Sequence, residues 1–158
     1  MDQREVFARL SAEDLDQRHA AVQDLAALGK SEPDIIIPAI IAALKTGSMN
    51  LRWYLGRALI RIGPSAIPFL VAASEEETDM AVQKYYGAVF AAFGEESIPT
   101  LVGMFASENP TTRGMAAAAL EKIGEPSLPS LLKAAKSPNG TVKLCAVLTL
   151  AKFQIYDY

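Results

Sequence analysis

Apolar residues recur along this chain at one, four and eight positions before a series of glycines. Leu28, Leu25 and Ala21 precede Gly29; Ile62, Leu59 and Leu55 precede Gly63; Phe93, Phe90 and Tyr86 precede Gly94; Ile123, Leu120 and Ala116 precede Gly124. This spacing paints one face of an α-helix and predicts four helices, each ending at its glycine. Successive glycines lie 34, 31 and 30 residues apart, so the chain repeats about every thirty residues. Continued one unit further, the frame places Phe153, Leu150 and Ala146 before Gln154, a fifth helix without the glycine. Near the start of each unit stand Asp14, Ser48, Asp79, Asn109 and Asn139, all side chains that cap helix N-termini. Four residues beyond each cap come Arg18, Arg52, Gln83, Arg113 and Lys143.

A second helix follows each turn. Pro68, Pro99 and Pro129 lie five residues past their glycines, and Pro38 nine past its own because of the insert Lys30 to Asp34. Proline suits a first helical turn, where its missing N–H has no partner to lose. Ile40 and Ile41, Leu70 and Val71, Leu101 and Val102, and Leu131 and Leu132 then form the inward face. One such pair of helices cannot bury its own apolar face, so the units must stack. The expectation is an all-α, right-handed α-solenoid of antiparallel helix pairs in one domain over 1–158. Residues 1–11 form an N-terminal cap, followed by repeats at about 12–47, 48–78, 79–108 and 109–138 and a partial one at 139–158.

The residues that carry this pattern are Arg52, Ala58-Leu59 and Ile62-Gly63-Pro64-Ser65-Ala66-Ile67-Pro68, and again Arg113, Ala119-Leu120, Ile123-Gly124 and Leu128-Pro129. The pattern resembles the short HEAT-like repeats named after the phycobilin lyases, over roughly residues 12 to 158. Gln83 departs from it in place of a basic residue and Ser48 in place of an acidic one. The resemblance implies a non-enzymatic scaffold that binds a protein or peptide partner. It also leaves open an accessory subunit of a phycobilin lyase-like enzyme handling an open-chain tetrapyrrole.

Composition narrows the chemistry. The formal net charge is -3, and 51% of residues are hydrophobic against 21% charged, which fits neither a disordered tail nor an electrostatically driven nucleic-acid binder. One cysteine, Cys145, and one histidine, His19, cannot by themselves form a disulfide framework, a Cys/His zinc site or a Cys-His dyad. No cofactor or metal is expected. The longest apolar runs fall far short of the roughly 20 residues of a membrane helix, and a cytoplasmic setting is expected. Glu75, Glu76 and Glu77, like Glu95 and Glu96, read as solvated loop carboxylates rather than an acid–base pair. The basic column reads as structure too: Asp14, Arg18, Arg52, Asp79, Asn109, Arg113, Asn139 and Lys143 are expected to form a hydrogen-bonded ladder between neighbouring repeats.

Binding is then a matter of faces. On the second helices, positions one and four after the proline point away from the core, and in a stacked solenoid they line the concave surface. There the expected contact residues are Phe69 and Ala72, Thr100 and Gly103, and Lys133, with Glu75, Glu76 and Glu77 selecting basic partners. Trp53, turned away from its helix's core face, marks the alternative, convex surface. The last helix, expected at 142–156, is apolar nearly all round and suggests a homo-oligomer or another covering chain.

Overall fold

The first helix of each pair starts at a capping side chain. The computed structural model describes residues 2–154, and among them every regular element is helical. The α-helices are α1 (Gln3–Arg9), α2 (Leu15–Ser31), α3 (Pro33–Thr46), α4 (Met49–Ile62), α5 (Ile67–Glu76), α6 (Met80–Phe93), α7 (Ile98–Gly103), α8 (Pro110–Ile123), α9 (Leu128–Ala134) and α10 (Gly140–Gln154). The Asp14 carboxylate accepts the Asp16 N–H at 2.9 Å, Ser48 Oγ the Leu51 N–H at 3.2 Å, and Asp79 the Ala81 N–H at 2.9 Å. Asn109 and Asn139 accept from Thr111 and Thr141, both at 3.0 Å. Each such bond pairs one of the amides that a helix start leaves without an internal partner.

Three of the four glycines end their helices as the pattern predicts. Gly63, Gly94 and Gly124 have φ of 98°, 67° and 86°, a region that side chains with a Cβ rarely enter, and a short 3₁₀ turn leads from each into the second helix. Gly29 differs. α2 runs through it to Ser31, and a Cβ on Gly29 would lie 2.3 Å from Ile62 Cδ1, so its role is to let α4 approach. The insert after Gly29 is taken up by the end of α2 and the start of α3, with Glu32 alone between them. Pro38 also departs from expectation: α3 begins at Pro33, which takes the first-turn position, and Pro38 lies inside the helix.

The chain divides into two compact units, Met1–Leu70 and Val71–Tyr158, where the repeat pattern predicts one domain. The division falls inside α5, ahead of the repeat boundary expected at 78. In the first unit α2 packs against α1, α3 and α4 around Leu10, Leu25, Ile37, Ile40, Leu55 and Leu59, all buried. In the second, α8 packs between α6 and α10, and α7 and α9 pack onto this layer around Tyr86, Phe90, Leu101, Phe105, Leu120 and Leu131. Within each unit the helix pairs stack as in a helical-repeat solenoid. Tyr54 is buried and Tyr85 half-buried. The predicted end of the last helix, Ile155 and Tyr156, lies outside the described residues.

The close approach at Gly29 is testable. Gly29→Val overfills the α2–α4 contact and is expected to cost about 2 kcal/mol of unfolding free energy. Combined with Ile62→Ala, it should cost less than the sum of the two single changes in urea denaturation.

Candidate functional site

The first-turn side chains of the first helices act on the ends of the helices before them. Arg18 Nε donates to the Ala12 carbonyl, beyond the end of α1. Arg52 donates to the Leu44 and Lys45 carbonyls in the last turn of α3, at 2.8 and 2.9 Å. Arg113 donates to the Ser107 carbonyl at 2.7 Å. These are carbonyls at helix ends, where a donor, and above all a cationic one, is favoured. Asp14, Asp79 and Asn139 cap their own helices, and Lys143 is exposed on α10.

Gln83 holds the same place in α6, but its surroundings are dry. Gln83, Ser74 and Thr112 are fully buried. The Gln83 amide donates to the Ser74 and Glu77 carbonyls at 2.8 and 3.0 Å, and its oxygen accepts the Ser74 hydroxyl at 2.7 Å. Thr112 Oγ1 also donates to the Ser74 carbonyl, at 2.7 Å, and the Asn109 amide donates to Glu77 O at 2.7 Å. The end of α5 is thus bound to the starts of both α6 and α8. Nothing in the sequence marked Ser74 or Thr112, because a serine and a threonine 38 residues apart carry no periodic signal.

Two surfaces of the second unit form grooves. The first, of about 670 Å³, runs along α7 and α9 to the start of α10. Pro99, Val102, Ala106, Pro138 and Val142 give it an apolar lining, Gly103 leaves room in it, and Lys133 and Lys136 supply its charge. Gly103 and Lys133 are therefore brought together, while Ala72, Glu75, Glu76, Glu77 and Thr100 are not among its lining residues. Phe69 is half-buried on α5 in the first unit. Glu75 accepts the Ser107 hydroxyl, and Glu77 accepts the Asp79 N–H at 3.1 Å, so two of the three glutamates are held by their own chain. The second groove, of about 630 Å³, lies on the other side of the layer between α6 and α8.

In the first unit Trp53 is 49% exposed, with the Arg57 guanidinium 4.9 Å over its ring and Tyr54 edge-on at 5.0 Å. His19 is exposed and meets Tyr54 at 6.1 Å, beside Arg18 at 5.7 Å from the same ring. These contacts are cation–π and edge-to-face packing. Among the described residues no group of three or more His, Cys, Asp or Glu is placed to hold a metal ion, and no single helix is long and apolar enough to cross a membrane.

Residues 67–151, more than half of the chain, match the family model of HEAT repeats. The chain belongs to the HEAT repeats. Residues 17–46 match the PBS lyase HEAT-like repeat. No curated protein matches. Among solved structures the chain is similar to the crystal structure of an engineered protein, at 18% identity over 96% of this chain and 81% of that one, with a TM-score of 0.34. In this chain the Gln83 amide makes a buried contact at the end of α5. Gln83→Leu removes the amide hydrogen bonds to the Ser74 and Glu77 carbonyls while Thr112, Asn109 and Thr111 still donate to them, and should cost about 1–2 kcal/mol in urea denaturation, with no change in helix content before the transition.

Proposed function

We propose that this HEAT-repeat chain is a non-enzymatic scaffold that binds a protein or peptide partner along the second-helix groove of its second unit. The observation that carries the reading is the groove itself. It joins apolar walls at Pro99, Val102 and Val142 to two lysines. A preformed groove of this kind binds an extended segment or a helix with little ordering cost to the scaffold. Lys133 and Lys136 favour an occupant that carries acidic side chains beside its apolar anchors. The three glutamates of the α5 end belong, on this reading, mainly to the architecture.

The match at 17–46 supports a second reading, an accessory subunit that handles an open-chain tetrapyrrole. An absorbance scan with added bilin separates the two: the scaffold reading expects an unshifted spectrum.

Gly103 allows a clean test. A Cβ there meets nothing within 4 Å, and the residue has φ of -59°, so a side chain can be added without strain. Gly103→Arg is expected to fill the groove, leave the melting temperature unchanged, and reduce recovery of the native partner in affinity purification at least about tenfold. Full recovery with Gly103→Arg, together with loss for Trp53→Glu, would instead place binding on the first-helix face of the first unit.

A further inference from the structure

The opposite side of the second unit is built from α6, α8 and α10, and its charges and apolar residues are segregated. These three helices carry Lys84, Arg113, Lys122, Lys143 and Lys152 and a single acid, Glu121, which pairs with Lys152 at 3.7 Å. The acids of the unit collect in the turns, as at Glu95, Glu96 and Glu125. Apart from Glu121, the three helices carry positive charge only.

Two rows of positions, thirty residues apart, cross this side: Lys84, Gly114 and Leu144, and Ala88, Ala118 and Leu148. Gly87, Ala88, Gly114 and Ala118 line the groove between α6 and α8. Met80, 52% exposed, lines it as well, and Lys84 and Lys122 give it its charge. On α10 the same rows hold leucines: Leu144 and Leu148 are each 58% exposed and Val147 is 45% exposed. At 100° per residue, Leu144, Val147, Leu148 and Ala151 span an arc of about 100°, with Lys143 and Lys152 each about 40° beyond one edge. The result is an apolar stripe with a lysine on either side.

We propose that this outer face of α6, α8 and α10 is a docking surface for an acidic amphipathic helix supplied by a partner protein. Its leucines would meet Met80, Leu144 and Leu148 over the floor of small residues, and flanking carboxylates would meet the lysines. Charge complementarity selects this occupant over a second copy of the chain. Two copies joined through this face would set lysines against lysines, since Glu121 is the one acid on the three helices. Like charges facing each other across an interface oppose association.

The test uses the full chain and fluorescence anisotropy with a labelled helical peptide of about 16 residues, long enough to hold a helix on binding. Leucines are placed at i, i+3, i+4 and i+7 with glutamates beside them, and a twin peptide carries lysines in place of the glutamates. The acidic peptide should bind at least about tenfold more tightly than its twin, and more weakly as salt rises. The double variant Lys84→Glu with Lys122→Glu should abolish that preference. Leu148→Glu should weaken the acidic peptide about tenfold with an unchanged melting curve, because its side chain is exposed, and Gly103→Arg on the opposite groove should have no effect. Equal affinity for the two peptides, or no binding of either, overturns the proposal. So do tighter binding to vesicles of anionic lipid than to the acidic peptide, and a concentration-dependent mass in light scattering that Leu148→Glu abolishes.

Discussion

The carbonyls at the end of each helix pair are the constraint on which the stack depends. A helix leaves its last four carbonyls without internal partners, and loops as short as those here cannot supply them all. At the joints before α2, α4, α6 and α8 the next first helix answers from its own first turn. Arg52 reaches the end of α3 and Arg113 the segment after α7, and in both cases the guanidinium is only half-buried. At the end of α5 the same position is fully enclosed, and there the chain has Gln83. A neutral amide can fill a dry site with paired donors and acceptor, whereas a guanidinium there would have to be stripped of water with no carboxylate beside it. The departure from the basic column is thus a response to burial at one joint.

That joint also explains where the chain divides. Leu70 belongs to the core of the first unit, while Ser74, one turn later on α5, is bound by Gln83 and Thr112. Once helix ends are fixed by side chains and backbone, the helix faces need little further polar chemistry. They are free to carry small residues, and this is what opens both grooves of the second unit. What the chain can do lies in the shapes and charges of those faces.

Much of this was legible in the sequence, and the exceptions have physical causes. The five caps and the three left-handed glycines were visible because each is a local backbone requirement that only a few residue types meet. Gly29 departs from the pattern because a glycine that lets a neighbouring helix approach looks, in one dimension, like a glycine that ends a helix. The distinction lies in Ile62, 33 residues away. Pro38 shares the spacing of the other prolines only in outline, because the insert brings in Pro33, and this earlier proline starts α3. Of the row expected on the concave surface, Gly103 and Lys133 line the groove of the second unit, and Phe69 is half-buried on α5 in the first. Pairing by distant polar side chains, as in the Ser74–Gln83–Thr112 cluster, has no period for a pattern to reveal.

The most direct test of the central claim compares two basic residues at the same place in successive repeats. Arg113 donates to the Ser107 carbonyl, whereas Lys143 is exposed and its ammonium has no hydrogen bond among the described residues. Both become methionine, which keeps the aliphatic stem and removes the charge. In urea denaturation, capture of helix-end carbonyls predicts a loss of about 1.5–3 kcal/mol for Arg113→Met and less than about 0.5 kcal/mol for Lys143→Met. Equal and small losses for the two variants would contradict it.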